Sequence, residues 1–434
     1  MIHKAVLFIF LGFVSAQAQF WTESASGFTT TSTGASKFYV LDANVAWATG
    51  YDGIVPNNNI QQYTTTSNAG ATWNAGPINL GNTNLGISNI SPVSATTAYV
   101  SAYPRLASNR GGVWITTDTG LTWTKQTTAT FSNANSFTNI VHYFNVNDGV
   151  AIGDPINGSW EIYTTSNGGT NYNVVASANI PVPLTGEVGY VAQFDATGDS
   201  IWFSTSNGRI YHSANKGMNW NVYQSPINDL GSANLSGDYS FTNATQGILQ
   251  DNSGNLWHTF DSGATWSVVT IAGTGNPYGD AIAYLPGTSQ LISTGSQTNF
   301  SGSSYSLDNG TTWVNVDTVQ HVDIAIFDIN TAYSGGFSST SAATGVFKYT
   351  GAVLSMPSVE DDYDFTIYPN PVEDVLNFTT SLDITQFNIR AMNGSIIKEV
   401  RDNTSIPVSN LAAGVYLLEI NTANASFSLP FIKN

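Results

Sequence analysis

The chain has 434 residues, no cysteine and only 9% charged side chains, with 12 Lys plus Arg against 29 Asp plus Glu for a net charge of −17. That excess of negative charge repels phosphate backbones and anionic membranes, which argues against nucleic acid as a partner. No disulfide is possible, so packed elements alone must supply stability. Gly, Ser, Thr and Asn fill the positions between short apolar runs, a balance that predicts an all-β chain.

In chain order, the first element is a secretory signal. Lys4 precedes an apolar run from Ala5 to Val14, and Ala16-Gln17-Ala18 forms a small-residue cleavage box, so residues 1–18 are expected to be removed. Gln19 would then open the mature chain. No later run approaches membrane-spanning length, so no transmembrane segment is expected after the signal.

An eight-residue stretch, Thr259-Phe260-Asp261-Ser262-Gly263-Ala264-Thr265-Trp266, sets the rhythm of the chain beyond the signal. Related copies run from Thr66 to Trp73, Thr116 to Trp123, Thr165 to Tyr172, Ser213 to Trp220 and Ser306 to Trp313. Their third positions, Asn68, Asp118, Asn167, Asn215, Asp261 and Asp308, stand 50, 49, 48, 46 and 47 residues apart, a spacing typical of radial or stacked arrays. Each interval holds four short apolar runs between turn residues, as in Asn139 to Asn145, Gly149 to Gly153, Trp160 to Thr164 and Tyr172 to Val175. One such meander cannot cover both of its faces, whereas several around an axis can, which predicts a β-propeller.

The motif falls between the third and fourth runs, where it reads as a hairpin corner. The Asp or Asn accepts backbone amides inside the turn, the following Gly takes positive φ, and the aromatic ring starts the outer strand. Each copy offers too few carboxylates for a calcium loop. Second strands can be counted at Val45–Ala48, Ala98–Val100, Val150–Ile152, Ile201–Phe203, Gly247–Leu249, Leu291–Ser293 and Ala332–Ser334, which gives seven blades. The seventh has a third strand at Gly345–Tyr349 but no motif after it. Trp21 stands 52 residues before Trp73, in phase with the motif aromatics, so Phe20-Trp21-Thr22 is expected to supply the missing outer strand and close the ring.

The six copies resemble the Asp-box, or BNR, repeats of sialidases, xyloglucanases, sortilin-type domains and photosystem II assembly-factor propellers. The resemblance implies a scaffold, and the families that carry it do different jobs.

The composition changes after Gly351. Pro357 and the acidic residues Glu360, Asp361, Asp362 and Asp364 mark a linker over 353–364. From 365 to 434, Ile367-Tyr368-Pro369-Asn370-Pro371, Val375 to Phe378, Phe387 to Arg390, Ile396 to Glu399, Gly414-Val415-Tyr416 and Phe431-Ile432-Lys433 succeed one another, alternating apolar residues with turns as in a small β-sandwich. This order resembles the type A sorting domain of the type IX secretion system of Bacteroidota. That resemblance implies the secretion machinery as a partner and a place outside a Gram-negative cell or on its outer surface. The expected organisation is thus all-β: a signal peptide over 1–18, a seven-bladed β-propeller over 19–352, a linker over 353–364 and a small C-terminal β-sandwich over 365–434.

Chemistry is sought on the face away from the motif, where the loops between second and third strands and those leading into each new blade project. The longer ones are 51–61, 103–112, 153–159, 176–189, 224–238, 270–280 and 295–303. Tyr51, Tyr103, Arg105, Arg110, Asp154 and Glu187 are the candidate ligand-binding residues, with Asp52, Asp238, Asp280 and Tyr278 beside them. Aromatic faces stack on sugars while Asp and Arg take directional bonds, so an extracellular glycan or protein is the expected ligand. The alternative is a glycoside hydrolase with an acid and a base drawn from Asp52, Asp154 and Asp280. A sialidase-like site needs an arginine triad, and the propeller holds only Arg105, Arg110 and Arg209, two of them in one loop. Asp154 also fits a turn role ahead of Pro155. His142 and His321 could line the channel or its rim, but no close-spaced ligand pair suggests a metal, and no cofactor is expected.

Overall fold

The structure is a computed structural model and describes residues 19–30, 32–55, 58–232, 236–337, 344–351, 365–380, 384–391, 396–400, 405–422 and 426–434. The expected signal segment and linker lie outside the described residues. The chain divides into two compact units that part between residues 354 and 355.

The first unit is a closed seven-bladed β-propeller of four-stranded antiparallel sheets. The inner strands, one per blade, are Thr33–Val40, Leu85–Pro92, Thr138–Tyr143, Gly189–Thr197, Gly237–Phe241, Ala281–Tyr284 and Ile324–Asp328. In blades 1 to 6 the sheet order follows the chain outward from the axis. Blade 7 takes Ile324–Asp328, Thr331–Gly335 and Gly345–Tyr349 from the end of the unit, and its outer strand, Trp21–Ala25, from the beginning. The closing pair is in register from Trp21 opposite Tyr349 to Ala25 opposite Gly345. Trp21 is buried, donates its indole N–H to Ser303 Oγ at 2.8 Å and packs on Tyr349 and His321. Closure removes the unpaired edge that an open array would expose.

Each second strand lies between two neighbouring blades, so both of its faces are covered. Ala46, Trp47 and Ala48, or Val150, Ala151 and Ile152, are therefore buried consecutively, without the polar alternation of a half-exposed strand.

The recurrent motif folds alike in all six copies. At Asp261, Thr259 Oγ1 donates to Oδ1 at 2.9 Å, the Thr265 N–H reaches Oδ1 at 2.8 Å and the Thr265 hydroxyl reaches Oδ2 at 2.7 Å, while Thr259 Oγ1 accepts the Gly263 N–H at 2.8 Å. Asn serves equally at Asn68, Asn167 and Asn215, because the backbone bond needs only one side-chain oxygen. The glycine two places on has φ between 75° and 91° in every copy. The residue before it is left-handed too, with Thr119 at 61° and Ser262 at 64°, a feature not expected from the sequence. That residue's N–H bonds the turn joining the first and second strands of its own blade, as in Ser262 to Thr245 O and Thr119 to Thr96 O, both 2.9 Å. Its carbonyl can also accept from the preceding blade: Tyr63 reaches Thr119 O at 2.6 Å, and Trp202 reaches Ser262 O at 2.9 Å. The motif thus fastens a corner to its own blade and to its neighbour.

The second unit is a sandwich of a three-stranded sheet, with Phe365–Tyr368, Val375–Thr380 and Ser405–Pro407, and a four-stranded sheet, with Ile384–Ala391, Ile396–Val400, Gly414–Thr422 and Ser426–Lys433. Leu376, Phe387, Ile389, Ile406, Leu418 and Phe431 fill its core. The Asn370 carboxamide accepts the Ile432 N–H at 2.8 Å, so the YPNP opening is held against the last strand.

Candidate functional site

The motif and the turns between first and second strands share one end of the propeller. The inner strands therefore start at the other end, and a channel runs between them. It holds a cavity of about 370 Å³ lined by residues from all seven inner strands, including Tyr39, Asn89, His142, Asp195, Asp238, Asp280, Tyr284 and Asp323. A second space of about 360 Å³ adjoins it at the strand starts, between Lys37, Tyr190, Gln193, Asp238 and Asp280.

Four carboxylates line this channel, and each fastens a backbone group. Asp323 accepts the Phe38 N–H at 2.9 Å, Asp238 the Ile282 N–H at 2.9 Å and Asp195 the Phe241 N–H, each reaching the next blade. Asp280 accepts the Ser296 N–H at 2.6 Å and the Ser296 hydroxyl within its own blade. Among the described residues none of the four forms an ion pair. Among the described residues Lys37, left-handed at φ 53° in a bulge of its strand, is the one basic side chain besides His142 along the cavity, and it too forms no ion pair. Burial pushes the Asp195 carboxyl up to about 7. It pushes Asp238 to about 6, where Lys37 opposes the rise and Asp323 adds to it. His142 lies 7% exposed among Tyr39, Phe144 and Phe194, its Nδ1 has no hydrogen-bond partner among the described residues, and burial lowers it to about 4, so the ring is neutral.

The candidates named from the sequence are dispersed. Asp280 and Asp238 do line the channel. Asp52 is half-buried and organises its own turn, accepting from Asn58 at 2.7 Å and from the Ile54 and Val55 N–H groups, donors that hold its carboxyl below the usual range. Asp154 accepts from Asn139 at 2.7 Å and from the Gly189 N–H at 2.9 Å, joining blade 3 to blade 4, and burial raises it. Arg110 donates to Ala107 O and Asn109 O inside its loop, and Arg105 is exposed. Tyr103 stacks on Phe137 at 4.9 Å. Tyr51 lies across Gly34 and against Phe337, with its hydroxyl buried and its ionisation pushed up first by burial, then by Asp323 and Asp280.

Three expectations need correction. Glu187 is 2% exposed: it pairs with Arg209 and accepts from Thr205 Oγ1 and the Leu184 N–H, which together outweigh burial and hold its carboxyl low. Tyr278 is 6% exposed because its ring covers Gly302 and Phe300. His321 is fully buried between Trp21, Phe347 and Ser334, away from the cavity lining. Asp195 and Asp323 were missed altogether. A sequence signal was present, since Asp195, Asp238, Asp280 and Asp323 recur at 43, 42 and 43 residues, a second period at or just before the inner strands.

The fold and channel define the class: a closed seven-bladed propeller followed by a separate sandwich. Residues 366–434 match the family described as "Secretion system C-terminal sorting domain", which marks the chain for type IX export to the cell surface or the extracellular space. No curated protein sequence matches the chain. Among solved structures, "YCF48 bound to D1 peptide" aligns at 15% identity and a TM-score of 0.55, covering 77% of this chain and 98% of the other. YCF48 from Cyanidioschyzon merolae aligns at 15% identity and 0.54, covering 76% and 99%. These similarities concern the fold. The Niastella koreensis GH74 enzyme aligns at 15% identity but a TM-score of 0.29, covering 90% and 65%, and carries no implication for this chain. Among the described residues no helix is long and apolar enough to cross a membrane.

Proposed function

We propose that the propeller is a binding module that works outside the cell or on its surface and takes a glycan or protein ligand over the face away from the motif. The observation that carries this reading is the contrast between the two ends. At the motif end the recurrent polar groups are engaged in scaffold bonds, whereas at the other end a solvent-open channel presents carboxylates that form no ion pair among the described residues. The glycosidase alternative draws no support from the carboxyl groups nominated for it. Asp52, Asp154 and Asp280 each accept donors that hold a turn, two blades or two strands together, which accounts for them as scaffold.

The test is a glycan and peptide array run beside a polysaccharide hydrolysis screen on the full-length chain. Saturable binding without turnover is expected. Release of reducing ends that Asp154→Asn abolishes would overturn the reading.

A further inference from the structure

We infer that the end of blade 2 away from the motif is a subsite for an acidic polysaccharide, whose uronate carboxylates are taken by Arg105, Arg110 and Lys125 while its sugar rings lie over Tyr103 and Leu106. The inference rests on the binding-module reading and gives it a ligand chemistry. None of the five residues lines the channel.

Three observations combine. The first is segregation of charge. Between Asp52 and Asp148 the chain carries one acid, Asp118 at the motif end, against Arg105, Arg110 and Lys125, which are three of the seven basic residues in 19–351. The loop 103–112 gathers all three. Arg110 donates to Ala107 O at 2.9 Å and to Asn109 O at 2.6 Å, and the Lys125 ammonium reaches up from the outer strand to Gly111 O at 2.9 Å. Arg105 is exposed on the same loop, and its N–H fixes the main chain by donating to Asn84 O at 3.1 Å. The acceptors of Arg110 and Lys125 are neutral carbonyls, and among the described residues neither side chain forms an ion pair. Asp52 and Asp154, on the flanking blades at this end, are held by their own donors.

The second observation concerns Lys125. It is half-buried, with its ammonium 4.9 Å from the centre of the Trp114 ring, and burial lowers it with no carboxylate to oppose the fall. A cation taken partly out of water without a counter-charge gains from an anion that a ligand brings. The third is independent of charge. Leu106 is 52% exposed, and Tyr103 stacks on the half-buried Phe137 at 4.9 Å while its hydroxyl has no partner among the described residues. A ledge of this kind suits the C–H face and hydroxyls of a sugar ring, as a planar guanidinium suits a carboxylate. The net charge of −17 does not oppose the match, because salt screens exposed charges beyond about 8 Å and leaves the cations of the loop to decide. A nucleic acid, with one charge per roughly 1.7 Å, needs a longer cationic track than three residues make.

The experiment titrates the full-length chain calorimetrically with oligogalacturonate, its methyl ester and penta-aspartate. Oligogalacturonate should bind, more weakly as salt is raised, and esterification of its carboxylates should abolish binding. Arg105→Gln and Lys125→Met should each weaken binding roughly 3- to 10-fold; the methionine keeps an apolar stem over Trp114 and removes the charge. Lys125→Arg restores the cation and should bind as the parent does, which separates loss of charge from loss of fold. Lys348→Gln, in the third strand of blade 7, should have no effect. Equal binding of the methyl ester, equal or tighter binding of penta-aspartate, equal weakening by Lys348→Gln, no rescue by Lys125→Arg, or no binding of oligogalacturonate at millimolar concentration overturns the inference. A neutral glycan that binds the parent and Arg105→Gln alike would keep the binding-module reading and remove this one.

Discussion

The two ends of the propeller use the same side chain in opposite ways. At the motif end Asp261 is exposed and Asp118 half-buried, both wrapped by hydroxyl and amide donors, and the Thr122 and Thr265 hydroxyls lead in holding their carboxyls below the usual range. Along the channel Asp195 and Asp238 also accept backbone N–H groups, but burial dominates and pushes them up. Both sets fasten backbone. Only the motif carboxylates do so in their preferred charge state, whereas Asp195 and Asp238 are shifted toward the neutral form along the wall of an opening. An aspartate that recurs in a repeat is therefore not assigned a role by recurrence; its donors and its solvent access decide.

The comparison presupposes a closed ring, and breaking the ring is the largest perturbation available. Removing residues 19–30 deletes the Trp21–Ala25 strand and leaves the Gly345–Tyr349 edge unpaired. Trp21→Ala alone should cost about 3–5 kcal/mol, as for other buried aromatic truncations. The deletion should lower the melting temperature by roughly 10 °C or more, monitored by circular dichroism. An unchanged melt would show that the closing strand contributes nothing to the propeller.

A smaller effect isolates the motif. Asp261→Ala removes the acceptor of three hydrogen bonds at an exposed corner and should cost about 1–2 kcal/mol. Asp261→Asn should cost well under 1 kcal/mol, since Asn68, Asn167 and Asn215 fill the same position in other blades. Chemical denaturation of both variants checks this. Equal losses would mean that the carboxylate charge, and not its geometry, holds the corner.

The same forces decide which features were legible in the sequence. Blade number, the corner role of the motif and the phase of Trp21 could be read because identical packing problems recur and were solved with identical residues. The ligand face was harder, because each loop consumes its polar groups with partners unique to it. Glu187 finds Arg209 on a strand of its own blade, Asp52 finds Asn58 six residues on, and Tyr278 finds a bed at Gly302. No periodicity announces such pairs. Asp195 lies within its inner strand and Asp323 in a short lead-in to the next, so the longer loops contain Asp238 and Asp280 but neither of these two.

The channel end gives the third prediction, and its sign separates it from the motif end. Asp195 is raised from 3.8 to about 7 in the folded protein, so over that window the folded chain holds a proton that the unfolded chain has released. Its contribution to stability is therefore fully present at acid pH and is lost as pH rises from about 4 through 7. The motif carboxylates run the other way: their folded values lie below the unfolded ones, so they stabilise above about pH 4 and lose that contribution only as pH falls through the lowered value. Asp195→Asn removes the ionisation and keeps an oxygen for the Phe241 N–H. It should raise stability by about 1–2 kcal/mol at pH 8, below the roughly 4 kcal/mol ceiling set by so large a shift, because channel solvent screens the charge. At pH 4.5, where the parent carboxyl already carries its proton, the two proteins should unfold nearly together. A gain of equal size at both pH values would trace the effect to packing and would remove the electrostatic distinction between the two ends.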